Sequence, residues 1–265
     1  MDTRPIGMFD SGVGGLTVLK EVIKQNSNED IIYLGDTERF PYGSKSKDTI
    51  IELTKNGIDF LVSKNVKAVV IACGTATSQA LEEVKGKYDI PIIGIIDSTV
   101  DYINKNKNLR NIGIIATAGT IRSNGWQNKI KDKVKDAVLQ ARACPLLAPM
   151  AEEGWTDNEI AKLTIHEYLK DFAEIDCLIL GCTHYPLFKN VIEKELNSKV
   201  QIINTGEMLS VDLKQILEQK DNTNSLNNNG KYEIYLTDTE TNFINVAKKL
   251  LKDENISEKI KKAEL

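Results

Sequence analysis

Ala68-Val-Val-Ile-Ala-Cys73-Gly-Thr75 and, roughly a hundred residues later, Cys177-Leu-Ile-Leu-Gly-Cys182-Thr-His184 decide how this chain is read. Each is a short apolar run that ends in a small residue, a thiol and then hydroxyl or imidazole groups. Runs of this kind, rich in Val, Ile and Leu, predict strands buried on both faces, as in parallel sheets covered by helices. The thiol then stands at the carboxyl end of its strand, where open parallel sheets bind ligands. Two such ends facing one cleft put a sulfur on either face of a substrate carbon, so that one takes a proton while the other delivers one.

The rest of the chain repeats the theme. Apolar runs at Ile6 to Phe9, Ile31 to Leu34, Ile92 to Ile96, Ile112 to Ala116, Val200 to Ile203 and Tyr232 to Leu236 join the two cysteine strands. Between them, Leu16 to Ile23, Thr49 to Val62, Glu159 to Phe172 and Phe188 to Leu196 carry apolar residues at three- and four-residue spacing, the period of a helix. Strand and helix in alternation predict an α/β architecture of mostly parallel sheet, with strands too uniformly apolar to have a wet face. Gly7-Met-Phe-Asp-Ser11 is echoed by Gly113-Ile-Ile-Ala-Thr117 at nearly the offset that separates the two cysteine strands, which predicts a duplicated unit whose second copy begins near Ser98. Lys220 to Gly230, with its five Asn, reads as a surface loop, and the last dozen residues as an exposed, charged, helical tail.

Composition narrows the function. At 265 residues, 41% hydrophobic and 27% charged, with a net charge of -4, the chain has room for a large core and no global basic field that would attract nucleic acid. Lys129, Lys131, Lys133 and Lys135 read as a solvated helix face. No apolar run reaches the roughly 18 residues of a membrane span, and the polar start from Met1 to Pro5 does not read as a signal peptide. Four cysteines without close pairing argue for reduced thiols and a cytoplasmic address.

The chemistry-bearing groups cluster near strand ends. Phe9-Asp-Ser-Gly-Val-Gly-Gly-Leu16 is a strand, a glycine turn and a helix; its amide groups suit a carboxylate ligand, and Asp10, read as an exposed carboxylate, suits an ammonium group or tunes a thiol. The spacing is neither a dinucleotide fingerprint nor a P-loop. Leu34 to Ser44, with its Pro-Tyr-Gly turn, supplies polar groups to the same rim. His184 is placed to lower the working range of Cys182. Cys-Gly-Thr and Cys-Thr-His lack the paired ligands of zinc sites, and neither a metal cluster nor a pyridoxal lysine motif is evident, so no cofactor is expected. Cys144 and Cys177 read as buried structural thiols, and His166, inside a helical pattern, as structural or surface. Of Glu152 and Glu153, one enters the cleft and the other stays solvated; Thr117, Thr120, Arg122 and Ser123 are further polar candidates.

These motifs, together with Ile-Ala-Thr-x-Gly-Thr-Ile-Arg-Ser, Glu-Glu-Gly and Leu-Gly-Cys-Thr-His-Tyr-Pro-Leu, resemble the glutamate racemases of the cofactor-independent aspartate/glutamate racemase superfamily, from Ile6 to about Gly206. The resemblance implies two pseudo-symmetric α/β domains with the active site at their interface, the first from residues 1–97 plus 208–265 and carrying Cys73, the second from 98–207 and carrying Cys182. It implies that Cys73 works on the D-enantiomer and Cys182 on the L-enantiomer, with Asp10, Glu152 and His184 assisting. Substrate contacts carry over to Asp10, Ser11, Tyr42, Gly43, Gly74 through its N–H, Thr75, Thr183 and His184, and the product would supply D-glutamate for cell-wall precursors. The partner is then a small amino acid, with no nucleic acid and no membrane; a homodimer is left open.

One departure stands out. The family usually reads Cys-Asn-Thr where this chain has Cys73-Gly74-Thr75; Asp97-Ser98, where relatives often carry Glu-Pro, is a smaller difference near the domain junction. If the pocket still has room for the side chain, Gly74→Asn should restore a hydrogen bond worth about 0.5 to 1.5 kcal/mol. Gly74 keeps alive a racemase of another amino acid such as aspartate. A catalytically silent binding protein on the same fold, and a dithiol redox protein, are the readings from other classes; possession of both thiols and their polar neighbours argues against the first, and the lack of Cys-x-x-Cys against the second.

Overall fold

The computed structural model describes residues 2–196, 199–220, 222–224, 229–239 and 242–265. In chain order the elements are β1 (Ile6–Asp10), α1 (Leu16–Gln25), β2 (Ile31–Gly35), α2 (Lys47–Ser63), β3 (Ala68–Ile71), α3 (Gly74–Val84), β4 (Ile92–Gly94) and α4 (Ile95–Lys105). There follow β5 (Asn111–Ala116), α5 (Ala118–Ser123), α6 (Gly125–Lys133), β6 (Val138–Ala143), α7 (Leu147–Glu152), α8 (Glu159–Leu169), β7 (Cys177–Leu180), α9 (Lys189–Glu195) and β8 (Gln201–Ile203). The chain closes with α10 (Thr205–Gln219), β9 (Tyr232–Leu236), α11 (Phe243–Leu251) and β10 (Ile260–Lys262).

Two sheets result, ordered β10-β9-β2-β1-β3-β4 and β6-β5-β7-β8, and every pairing in them is parallel. The order β2-β1-β3-β4 of the first sheet recurs as β6-β5-β7-β8 in the second, so β3 and β7, the strands before Cys73 and Cys182, occupy equivalent places. This is the structural form of the weak internal repeat.

Alternation along these strands explains how three apolar layers form. In β3, Ala68 and Val70 face the central layer while Val69 and Ile71 face α2 and α3; in β7, Cys177 and Ile179 face the centre while Leu178 and Leu180 face the α7 to α9 side. The central layer is shared by both sheets and is filled by α1, α4, α6, α10 and α11, with α10 packed on both α1 and α4. Burying each Val, Leu or Ile there is worth roughly 1.5–3 kcal/mol, so the shared layer binds the two sheets strongly. The positions 97/98 and 207/208 fall inside α4 and α10, so the chain passes between the two sheets through helices.

Several expectations need correction. The run Ile92 to Ile96 ends as a strand at Gly94, and Ile95 already begins α4. The strands are not all dry: β6, which the apolar-run reading missed, is an edge strand with Val138 and Ala141 exposed. The tail is not an exposed helix, because Ile260–Lys262 adds a parallel strand beside β9, and Ile256 and Ala263 are buried. Two of the clustered lysines are more than a solvated face: Lys129 meets Asp97 and Lys133 meets Asp101, each at 2.6 Å, tying α6 to α4. Of the polar stretch 220–230, residues 221 and 225–228 lie outside the described residues. No helix among the described residues is long and apolar enough to cross a membrane.

Candidate active site

Both thiols sit two residues past the end of a central strand. Cys73 caps the N-terminus of α3, and Cys182 follows Gly181 after β7. Both are almost wholly buried, at 5% and 6% exposure, on a seam where loops of the first sheet meet loops of the second.

The first sheet contributes β1 and its glycine turn. Asp10 is fully buried, which corrects the reading of it as an exposed carboxylate. Its Oδ2 accepts the N–H groups of Gly12 (3.0 Å) and Gly15 (2.9 Å), so the carboxylate itself organises the turn into α1. Its Oδ1 accepts the Thr183 hydroxyl at 3.2 Å across the seam. Burial raises Asp10 to about 6, against the opposing pull of the His184 charge and of these three donors. The next residue, Ser11, lies with its hydroxyl 3.5 Å from Cys73 Sγ. Burial pushes the Cys73 thiol up to about 12, Asp10 adding to it, against the Ala76 N–H and the Ser11 hydroxyl. Cys73 is therefore a protonated thiol at neutral pH.

Cys182 has a different environment. Its Sγ is 3.7 Å from His184 Nδ1, and His184 Nε2 is 2.6 Å from Glu152 Oε1. Burial opposes the imidazolium, but Cys182 and Glu152 together outweigh it and hold His184 up to about 10. A positive charge thus stands against one sulfur and not the other. Glu152 Oε1 also accepts the Val13 N–H at 3.2 Å, so this relay is keyed to the glycine turn of the first sheet. Glu153 is exposed, so of the two acids it is Glu152 that enters.

A third group of polar atoms lies beyond the thiols. The hydroxyls of Thr75 and Thr117 are 2.8 Å apart, those of Thr117 and Thr120 2.9 Å, and those of Thr75 and Thr120 3.3 Å. Gly43 packs directly on Thr117, for a Cβ built there would lie 2.6 Å from Thr117 Cβ. Tyr42 is placed otherwise than its carry-over suggests for the side chain: its ring packs in the core beside Phe9 and its hydroxyl donates to Asp36 Oδ2 at 2.5 Å.

Glycine lets the two halves meet so closely. A Cβ at Gly12 would lie 2.8 Å from Glu152 Oε1, at Gly14 2.4 Å from His184 Nδ1, and at Gly74 2.1 Å from the Gly181 carbonyl oxygen. The last contact is against backbone, which cannot swing away. The room on which a regained hydrogen bond in Gly74→Asn depends is therefore absent unless the two turns shift.

Some contributors had no signal in the sequence. Thr17 brings its hydroxyl within 2.8 Å of the Thr183 carbonyl, the Phe40 ring lies 5.4 Å from that of His184, and Asn242 donates to the Glu152 carbonyl at 3.1 Å. Each is an ordinary residue in its own segment and acquires meaning only from the partner that folding brings to it. Cys144 and Cys177 are both pushed up to about 12 by burial. The Cys144 carbonyl accepts the Tyr185 hydroxyl at 2.7 Å. His166 is a surface group paired with Glu195 at 2.9 Å. Among the described residues no group of three or more His, Cys, Asp or Glu side chains is arranged to hold a metal ion.

The site thus brings two buried thiols to one seam, one of them beside a charged imidazole and a carboxylate. The model of the Asp/Glu/Hydantoin racemase family matches residues 13–211, and the chain belongs to that family. It is an amino-acid racemase, an isomerase. Among its relatives are the glutamate racemases of Geobacter metallireducens, 40% identical with 95% of this chain and 94% of the relative covered, and of Sulfurihydrogenibium sp., 43% identical with 98% of each covered. The crystal structure of the glutamate racemase from Francisella tularensis in complex with D-glutamate superposes with a TM-score of 0.91, at 37% identity, over 100% of this chain and 98% of that one.

Glu152→Gln tests the relay. His184 is raised above its unfolded value of about 6.5, so its contribution to stability is fully present below that pH and is lost as pH rises through about 10. Removing the Glu152 charge should cost about 2 kcal/mol at neutral pH, the scale of a hydrogen bond to a charged group. Melting temperature followed from pH 6 to 10.5 should fall less steeply for Glu152→Gln than for the parent. Parallel profiles would show that Glu152 does not hold the imidazolium.

Proposed function

We propose that the chain interconverts L- and D-glutamate by a two-thiol transfer at the α-carbon, with no cofactor. The observation that carries this reading is the equivalent placement of Cys73 and Cys182 after matching strands of two sheets, facing one seam with unlike electrostatic partners. For the L-enantiomer, Cys182 as thiolate takes the α-proton, the electron pair remains on the substrate, and the Cys73 S–H gives its proton to the opposite face. The D-enantiomer uses the same groups in reverse order. The protonated Cys73 and the imidazolium beside Cys182 suit the L-to-D direction first.

An α-proton is far less acidic than a thiol, so the charge that develops on the substrate needs fixed partners in a site shielded from water. Asp10 is the anion suited to the substrate ammonium. The N-terminus of α3 and the His184 charge suit its α-carboxylate, with the Thr183 hydroxyl available to it only on leaving Asp10. The hydroxyls of Thr75, Thr117 and Thr120, with Gly43 beside them, suit the second carboxylate of an acidic side chain. Residues 1–97 with 208–265, and 98–207, act as the two units that carry one thiol each. D-glutamate made in the cytoplasm would feed peptidoglycan precursors.

A racemisation assay over a panel of amino acids, read by loss or gain of circular dichroism, tests the substrate. Glutamate should turn over at least tenfold faster, in kcat/KM, than aspartate or any neutral amino acid. Faster turnover of aspartate would keep the chemistry and transfer the substrate assignment.

A further inference from the structure

We infer that Phe40 is a positioning residue: its ring crosses the seam as an apolar cover that keeps water off the His184–Glu152 ion pair. The inference deepens the two-thiol reading above, in which that pair sets the charge beside Cys182.

The turn that carries Phe40 is braced at both ends. After β2, a 3-10 turn at Thr37–Arg39 is held by the Arg39 guanidinium on Asp36 Oδ1 at 2.9 Å, by the Thr37 hydroxyl on the Asp238 carbonyl at 2.6 Å and by the Glu38 N–H on the Thr237 hydroxyl at 3.0 Å. Just past Phe40, the Tyr42 hydroxyl returns to the other oxygen of the same carboxylate, Asp36 Oδ2. Asp36 is fully buried, so both flanks of Phe40 are tied to one fixed point. The ring leaves this turn away from its own sheet. Tyr42 packs in the outer layer of the first sheet, whereas Phe40 packs against the outer layer of the second, the layer that includes Cys182.

What Phe40 meets there is the relay. The ring centroids of Phe40 and His184 are 5.4 Å apart, with the planes inclined at 45°. A Cβ built on Gly12 would lie 3.2 Å from Phe40 Cδ2 and 2.8 Å from Glu152 Oε1, so ring and carboxylate converge on the same glycine. The side chains of His184 and Glu152 are 2% and 20% exposed, while Phe40 is half-buried, with one side on the pair and the other toward solvent. The attraction within a charge pair falls roughly fourfold between a protein surface and bulk water, so the cover decides how firmly Glu152 holds the imidazole. An apolar group suits the task, because it offers no hydrogen bond that would divert Nε2 from Glu152 or Nδ1 from Cys182.

The chain has two histidines, which makes the test direct. With nitrogen-labelled protein and no substrate, nuclear magnetic resonance measures how fast the proton between His184 Nε2 and Glu152 exchanges with water, and the surface ring of His166 gives the unprotected limit. In the parent the His184 proton should exchange at least about tenfold more slowly than that of His166; Phe40→Ser should speed it by about tenfold or more, and Phe40→Leu, which keeps an apolar cover, should bring it back to within about threefold of the parent. The kcat/KM for glutamate should follow, falling roughly tenfold in Phe40→Ser and recovering in Phe40→Leu. An exchange rate unmoved by Phe40→Ser overturns the inference, as does Phe40→Leu exchanging as fast as Phe40→Ser. Backbone amides of β3 that speed up by the same factor would show a general loosening and overturn it too. Should Phe40→Ser fail to fold, the parent decides: a His184 proton that exchanges as fast as that of His166 means there is no cover. A parent that does not racemise glutamate contradicts the two-thiol reading and leaves the exchange result standing, so the two fail separately.

Discussion

Serine in place of Cys73 or Cys182 should lower racemisation of glutamate by about 10³-fold or more, whichever enantiomer is supplied. The substitution is nearly isosteric, so the seam should close as before, but an alcohol ionises so much less readily than a thiol that general-base transfer, worth about 10²–10⁴, is lost at that face. The two variants should differ in what remains. Cys73→Ser keeps the sulfur beside His184 and should still exchange the α-proton of L-glutamate. Cys182→Ser keeps the sulfur beside Ser11 and should still exchange that of D-glutamate. Cys144→Ser is the control: its thiol is buried in the apolar layer on the α7 to α9 side of the second sheet, with its Sγ 3.8 Å from the Arg142 carbonyl, so activity should stay within about twofold, while burying a hydroxyl there costs about 1–3 kcal/mol. Steady-state circular dichroism with each enantiomer, followed by deuterium uptake, checks all three. Near-parent turnover by either of the first two variants would remove the two-thiol account.

The second large effect should come from Asp10, and it should split by substitution. Asp10→Ala leaves the Gly12 and Gly15 N–H groups and the Thr183 hydroxyl without their acceptor inside a buried turn. At about 1–3 kcal/mol for each orphaned group, unfolding should be easier by at least about 3 kcal/mol, and the melting temperature should fall by roughly 6–12 °C. Asp10→Asn keeps an amide oxygen for the two N–H groups and removes a buried charge whose ionisation burial already opposes, so stability should hold or rise slightly. Catalysis should fall all the same, because the anion proposed to hold the substrate ammonium is gone; a lost charged hydrogen bond of about 1.5–3 kcal/mol corresponds to roughly 10- to 100-fold in kcat/KM. Equal activity in Asp10→Asn and parent would reduce Asp10 to a structural cap.

Much of this was legible in the sequence because burial on both faces writes itself as unbroken apolar runs. β1, β2, β3, β5, β7, β8 and β9 all fall on such runs. β6 escaped because an edge strand carries Gln140 and Arg142 among its apolar residues, so its pattern breaks where water reaches it. The last segment escaped for the same reason: Ile260-Lys-Lys262 is mostly charged, yet its backbone completes the edge of the first sheet, and backbone pairing leaves no trace in composition. In the site, the motifs announced Cys73, Cys182, His184 and Glu152, because thiol, imidazole and carboxylate at strand ends are chemically loud. The burial of Asp10 was hidden, since the donors that satisfy it are backbone N–H groups. Gly74 was the largest surprise. Read alone it is an absent side chain; against Gly181 it marks where the two thiol-bearing turns touch.

The central claim is that two different sulfurs serve the two faces of one carbon. It is tested most directly by the origin of the proton in the first D-glutamate formed from protiated L-glutamate in deuterated water. Two sulfurs predict that this D-glutamate carries deuterium at the α-carbon from the earliest time points, while the remaining L-glutamate is still protiated, because the proton taken by one thiol is not the one delivered by the other. D-glutamate that retains the substrate's own protium would mean that a single base carries the proton across, and would contradict the account.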